Sequence, residues 1–109
     1  MLSSKFKYIF LPILFLAAIL VGADDITMPL EQGWNLISVP SELDDKMLPG
    51  AFDSINGSYN VIFAYVDGKW RSFNPSRPYF LNTLTELDHY HGYWINMLIQ
   101  DDAELSGDP

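Results

Sequence analysis

The chain has 109 residues, a formal net charge of −8 and no cysteine. This length has room for one domain, and the absence of cysteine excludes both a disulfide framework and a lipid-modified cysteine anchor. The excess of acidic over basic residues argues against nucleic acid and anionic lipid as partners, because phosphate binding draws on Lys and Arg.

The N-terminal stretch has the organisation of a secretory signal. Lys5 and Lys7 precede an apolar run over residues 8–21, and small residues follow up to Ala23. The run is shorter than the ~20 residues that a helix needs to span a bilayer, which favours cleavage over an uncleaved membrane anchor. We therefore predict a signal peptide or anchor at 1–23, one domain at 24–109, and an extracellular or cell-surface location. The membrane is a partner only through this segment, if it is retained.

Two segments of the first half predict one strand and one crossover. The sequence "ITMPLEQ" predicts a strand over 26–30, and Pro29 would confine that strand to a sheet edge. The sequence "SELDDKMLPGAFDSI" predicts an irregular helical crossover in two pieces, the first capped by Ser41 and the second a short turn over 51–55.

Between these segments, "GWNLISVP" predicts a strand that is apolar on both faces. Alternation places Trp34 and Leu36 on one side and Asn35 and Ile37 on the other. We expect the Trp34 side to fill the core, Asn35 to satisfy the backbone of a turn, and Pro40 to end the strand.

The sequence "YNVIFAYVDGKWRSFNP" is the clearest local pattern in the chain. Its two apolar runs meet at Asp67-Gly68, which is typical of a two-residue hairpin turn. This turn fixes a register of four pairs: Val66 with Lys69, Tyr65 with Trp70, Ala64 with Arg71, and Phe63 with Ser72. We expect the face that carries Phe63, Tyr65 and Trp70 to be the core face.

The last third predicts two more strands after an ambiguous stretch, "YFLNTLTEL", with features of both helix and strand. In "GYWINMLI", Tyr93 and Ile95 alternate with Trp94 and Asn96, and "AELSG" predicts a short final strand. The Gly-aromatic start of "GYWI" repeats that of "GWNL", which suggests two central strands that begin alike. The fold class predicted is mainly β, a single-domain barrel or sandwich of about five to six strands with one short irregular helical crossover.

The order "L-x-x-GWNLISVP", "YVDGKWRSFNP", "FLNTLTEL" and "GYWINM" resembles a small domain that recurs in large secreted and surface-layer-type proteins of archaea and bacteria. The resemblance covers residues 30–107. The resemblance implies a β fold and an extracellular location. That family carries no settled biochemical activity, so the resemblance implies no catalytic residues.

The sequence "DHYH" is the candidate metal site. His89 and His91 would project from one face of a strand with Asp88 beside them. Zinc needs three or four ligands, and the sequence has no cysteine and no third histidine to complete the set. We therefore favour an exposed loop and assign no metal.

Two other surface features carry weaker hypotheses. Acidic pairs at Asp24-Asp25, Asp44-Asp45 and Asp101-Asp102 offer oxygens to a structural calcium ion, although none fits a calcium-loop pattern, so we predict no cofactor. Asn56 begins an Asn-Gly-Ser sequence that meets the N-glycosylation pattern and is equally typical of a turn.

No nucleophile elbow, zinc-protease motif or phosphate loop is present, which favours a protein that is not an enzyme. A small secreted hydrolase with a carboxylate pair is the least favoured alternative.

The aromatic residues suggest a binding role. Trp70, Tyr90, Tyr93 and Trp94 are candidates for stacking on sugar rings, and the alternative is that at least two of the three tryptophans are core residues. The leading hypothesis is a non-enzymatic secreted or surface module that contacts another envelope component, protein or glycan. A carbohydrate-binding module with exposed Trp and Tyr is the runner-up.

Overall fold

The computed structural model describes residues 20–21, 25–39 and 42–108, and these residues are mainly β structure. Most of the predicted signal segment, together with Ser41 and Pro40, lies outside the described residues. Within the described part, no helix is long and apolar enough to cross a membrane.

Eight strands lie within the described residues, two more than the highest number expected from the sequence. In chain order they are β1 (Leu20–Val21), β2 (Asp25–Leu30), β3 (Gly33–Ser38), β4 (Glu42–Leu43), β5 (Tyr59–Val66), β6 (Lys69–Phe73), β7 (Gly92–Met97) and β8 (Asp101–Asp108). They form two four-stranded sheets in the orders β1-β2-β8-β4 and β3-β7-β5-β6, in which all strand pairs are antiparallel.

The first sheet joins the two ends of the domain. β2 pairs with β8 from Leu30 opposite Asp101 to Asp25 opposite Ser106, so the final strand predicted from "AELSG" forms and is longer than expected. Pro29 lies beyond the residues of β2 that pair with β1. β2 nevertheless lies between β1 and β8, so the expectation that Pro29 confines this strand to a sheet edge is wrong. Proline is tolerated here because β1 pairs only with Ile26 and Thr27 and leaves Pro29 no partner on that side within the described residues.

The second sheet contains the predicted hairpin. The register of β5 and β6 has all four predicted pairs and adds Ile62 opposite Phe73. β7 is central, but β3 is an edge strand, which corrects the expectation that both Gly-aromatic motifs start central strands. Gly33 pairs with Met97 and Ser38 pairs with Gly92 across the antiparallel strands β3 and β7, so the two Gly-aromatic motifs lie at opposite ends of this strand pair.

A single hydrophobic cluster collects the buried side chains of both sheets. The first sheet supplies Ile26, Met28, Leu30, Leu43, Ala103 and Leu105, and the second supplies Ile37, Tyr59, Ile62, Ala64, Phe73, Tyr93, Ile95 and Met97. A 3-10 helix at Gly50–Ile55 adds Phe52 and Ile55, which are fully buried. The core therefore uses one face of each sheet, as period-two alternation requires.

The crossover is helical only in its second piece. The short helical turn predicted over 51–55 forms as a 3-10 helix at Gly50–Ile55, but the first piece contains β4, which pairs with β8 and buries Leu43. Pairing and burial outweigh the weak helix preference of this short segment. The ambiguous "YFLNTLTEL" contains a 3-10 helix at Tyr79–Leu81, and Glu86 further along forms an isolated bridge with Met47.

The main correction concerns which face of the second sheet is buried. Alternation along β3 and the hairpin is as predicted, yet Trp34, Tyr65 and Trp70 are exposed, and the opposite face, with Ile37 and Ala64, is in the core. Both faces carry apolar side chains, so periodicity alone could not choose between them. The expectation that Trp34 fills the core is wrong.

Candidate functional site

An aromatic surface covers the exposed side of the second sheet. Each of its four strands contributes one ring: Trp34 from β3, Trp94 from β7, Phe63 from β5 and Trp70 from β6. Together they line an open depression of about 480 Å³. The tryptophans are 55%, 40% and 61% exposed in that order. We call these four side chains the aromatic face.

The rings follow a diagonal across the strands. Trp94 and Phe63 lie directly opposite each other on neighbouring strands, while Trp34 lies one cross-strand row to one side, opposite Asn96. The Trp34 ring still reaches Phe63, with centroids 6.0 Å apart and planes inclined by 32°. At the other end, Trp70 packs edge-on against Tyr65 at 5.2 Å. The strand positions that carry these rings therefore span the full width of the sheet, which is roughly 14 Å for three strand spacings.

Two turns with clear sequence causes position the outer rings. The hairpin turn has positive φ at Asp67 (53°) and Gly68 (79°), as a type I′ turn requires, and it fixes Trp70 opposite Tyr65. Before β3, Asn35 Oδ1 accepts a hydrogen bond from the Glu31 N–H at 3.1 Å, and Asn35 Nδ2 donates to the Glu31 carbonyl at 2.8 Å. The predicted turn role of Asn35 is thus confirmed, and this turn sets the face on which Trp34 emerges.

Polar but uncharged side chains share the sheet face with the rings. The positions that alternate onto this side are Trp34, Leu36 and Ser38 on β3, Trp94 and Asn96 on β7, Val61, Phe63 and Tyr65 on β5, and Trp70 and Ser72 on β6. Asn96 Nδ2 also donates to Asn60 Oδ1 at 3.0 Å. None of the side chains at these positions is ionisable near neutral pH, in a chain whose net charge is −8.

The structure brings together two of the four predicted ligand residues. Trp70 and Trp94 lie on the aromatic face, but Tyr90 does not line it and instead stacks on His89 with centroids 4.1 Å apart. Tyr93 is only 1% exposed, because it alternates with Trp94 and points into the core. This corrects the prediction that Tyr93 offers a ring to a ligand.

Trp34 and Phe63 complete the aromatic face and were missed as site residues. They were assigned to the core because large apolar side chains are usually buried. The available signal was the hairpin register, which places Phe63 and Trp70 on one side of the sheet, although it does not say which side faces solvent.

The candidate metal residues form a turn instead of a strand face. His91 Nδ1 lies 2.8 Å and 3.0 Å from the two carboxylate oxygens of Asp88, and the Tyr90 N–H donates to Asp88 Oδ1 at 2.9 Å. Burial raises the pKa of Asp88, but the hydrogen bonds from His91 and the Tyr90 backbone outweigh it, so the net shift is downward. Across the described ranges, no three His, Cys, Asp or Glu side chains are grouped to hold a metal ion.

A small cavity of about 100 Å³ lies beside this turn. Arg71 and Glu86 line it together with Asp88, His91 and the buried Tyr93. The Tyr93 hydroxyl accepts a hydrogen bond from the Asp88 N–H at 2.8 Å, and burial raises the Tyr93 pKa. These contacts anchor the turn to β7 and so hold the start of the strand that carries Trp94.

The remaining sequence candidates are divided between turns and strands: Asn56 lies in a turn, whereas Asp25 begins β2 and Asp101 and Asp102 begin β8. Asn56 is exposed directly after the first 3-10 helix, and the hydroxyl of Ser58, in the same Asn-Gly-Ser sequence, donates to Asp101 Oδ2 at 2.7 Å. Of the acidic pairs considered for calcium, Asp45 accepts a hydrogen bond from the Met47 N–H, and Asp24 lies outside the described residues.

Comparisons with protein-family models, with curated proteins and with solved structures gave no match to this chain. The structure itself defines the class to which the protein belongs: a mainly β domain of two antiparallel sheets, with an exposed aromatic surface on one of them.

Proposed function

We propose that this protein is a non-enzymatic surface module that binds a glycan of the cell envelope through its aromatic face. One observation carries the proposal: all three tryptophans of the chain are exposed on one side of one sheet. Large apolar side chains that cluster in solvent mark binding surfaces in soluble proteins.

The chemistry of the aromatic face suits sugars. The face of an aromatic ring carries partial negative charge, so it attracts the C–H groups on the flat side of a sugar ring. Sugar hydroxyls need donors and acceptors beside the rings. Asn60 and Asn96 place amide groups beside Trp94, and Ser72, whose Oγ accepts a hydrogen bond from Arg77 Nη2 at 3.1 Å, places a hydroxyl beside Trp70. A ligand that is apolar on its flat side and polar at its rim matches this arrangement.

The proposed location is extracellular or at the cell surface. The signal-like N-terminal stretch and the resemblance to a domain of secreted and surface-layer-type proteins support it. We further infer a sandwich rather than a barrel, because one buried face of each sheet contributes to a single core.

Tryptophan fluorescence during titration with a panel of polysaccharides, with and without calcium, tests the proposal. We expect a saturable shift with at least one polysaccharide. The Trp94→Ala variant should lose about fivefold in affinity, because removing one stacking ring costs roughly 1 kcal/mol. Tyr90→Ala is the matched control, since Tyr90 is an exposed ring off the aromatic face. A folded protein whose fluorescence no polysaccharide changes would contradict glycan binding.

Contact with an envelope protein is a second candidate, which β3 favours. This strand lies at a sheet edge and is apolar on both faces, and such edges accept an additional strand. Binding of this kind should survive Trp70→Ala, because Trp70 lies on β6 at the other edge of the sheet. Cross-linking of the wild type and of Trp70→Ala to the isolated envelope fraction distinguishes the two modes. Equal cross-linking of the two indicates strand addition at β3, and reduced cross-linking of Trp70→Ala indicates glycan binding.

A further inference from the structure

The diagonal arrangement of the rings indicates the kind of glycan. We infer that the ligand is an uncharged, linear polysaccharide that lies across the four strands of the second sheet. This inference rests on the proposed function, because it names the substrate class of the same aromatic face.

The first step is the extent of the surface. Each strand supplies one of the rings that line the depression, so the strand positions that carry them are distributed across the sheet, and the Trp34 and Phe63 rings are in contact within this series. The depression that they line is open to solvent, and its lining consists of the four aromatic side chains. A single sugar unit could cover only part of a surface about 14 Å across. An extended chain can contact the rings at both ends of the diagonal at once.

The second step is charge. The side chains that alternate onto this face are uncharged, whereas the chain as a whole has a net charge of −8. Lys69 and Arg71 alternate with Trp70 on β6 and so belong to the other side of that strand, and Arg71 lines the small cavity with Asp88. The cation beside this face is Arg77, whose Nη2 donates to Ser72 Oγ at 3.1 Å and to Asn82 Oδ1 at 2.7 Å, so its guanidinium is already hydrogen-bonded within the protein. An anionic polysaccharide would meet this one engaged cation at the β6 side and would be repelled by the net negative charge of the molecule.

The experiment measures affinity for neutral oligosaccharides of increasing length, with cello- and chito-oligosaccharides as probes and polygalacturonate as the anionic comparison. We expect affinity to rise with length until the chain spans the diagonal, and to be the same at low and high salt. Trp34→Ala and Trp70→Ala remove the ends of the diagonal. Each should lower affinity for the longest oligosaccharides about three- to tenfold and leave the shortest bound ones nearly unchanged.

Trp94→Ala and Tyr90→Ala complete the set. Trp94 lies in the middle of the diagonal, so its removal should weaken binding at every length, whereas Tyr90→Ala should change nothing. Circular dichroism of each variant establishes that it is folded before its affinity is compared.

The outcomes separate this inference from the proposed function. Equal affinity for a monosaccharide and a long chain would overturn a linear ligand and leave glycan binding intact. Preference for polygalacturonate, weakened by salt, would overturn an uncharged ligand and also leave glycan binding intact. Absence of binding to every neutral and anionic saccharide would overturn both, and so would sugar affinity that none of the three tryptophan variants changes.

Discussion

Tyr59 shows what burial does to a single side chain in this small core. Its ring packs edge-on against Phe52 with centroids 6.1 Å apart, and burial raises its pKa to about 12. In the unfolded chain the phenol ionises near the usual value of about 10. Tyr59 therefore favours the folded state fully below about pH 10, and this contribution is lost as pH rises through the folded-state pKa.

The Tyr59→Phe variant isolates this effect, because it keeps the ring and removes the ionisable group. Urea unfolding should give similar stabilities for the two proteins at neutral pH. Between about pH 10 and 12 the wild type should lose stability faster than the variant, by at most about 1.4 kcal/mol per pH unit for one proton. Parallel curves over this range would show that Tyr59 ionises equally in both states. The raised pKa of Tyr93 affects both proteins alike and cancels from the comparison.

At single positions, the sequence was informative where the cause is local. The role of Asn35 was predictable because its partners, Glu31 and Gly33, lie within four residues. The exposure of Trp34 was not predictable, because it depends on which face of the second sheet the first sheet covers. That position is set by side chains far away in sequence, such as Leu105, and hydrophobicity alone assigns a tryptophan to the core.

Among the secondary structure elements, β4 depends most on one small residue. Its two residues pair with the end of β8, where Leu43 lies opposite Gly107. A side-chain carbon at Gly107 would collide with the backbone of Glu42 and Leu43. β4 can therefore approach β8 only because Gly107 has no side chain.

Gly107→Ala should separate β4 from β8 and expose Leu43. We expect a loss of about 1–3 kcal/mol in the free energy of unfolding, typical of an added atom in a packed site. Ser106→Ala is the matched control, since Ser106 is exposed and its one side-chain hydrogen bond, from Oγ to Asp25 Oδ1 at 3.2 Å, is also exposed, so the substitution should cost less than about 0.5 kcal/mol. Hydrogen exchange of the Asp44 amide, which donates to the Ser106 carbonyl, reports the separation directly. Unchanged protection at Asp44 in Gly107→Ala would show that β4 adjusts without leaving β8.

The predictability of the elements follows their sequence separation. The β5–β6 hairpin was predicted with its register, because the Asp67-Gly68 turn fixes the pairing of its neighbours. The edge position of β3 and the existence of β4 were not predicted. Both depend on pairings with β7 and β8, more than 50 residues away, and periodicity contains no information on strand order.

In the whole molecule, the first sheet closes the domain and the second presents the aromatic face. β2 and β8 come from opposite ends of the described chain, so their pairing encloses everything between them. None of the positions that alternate onto the aromatic face carries an acidic side chain. This division gives the molecule solubility from its charge and leaves one uncharged surface for a ligand.

The closing role of β8 gives a prediction for the whole fold. A chain that ends at Gln100 lacks the partner of both β2 and β4, and it loses Ala103 and Leu105 from the core. We expect this shorter chain not to fold, because the lost pairing and burial exceed the free energy of unfolding of a small domain, which can be as low as about 5 kcal/mol. A chain that ends at Gly107 keeps the β2 pairing and the buried residues of β8, and it should fold. Far-UV circular dichroism and urea unfolding compare the two chains. A cooperative unfolding transition in the shorter chain would show that the second sheet and its aromatic face are stable without the first sheet's central pair.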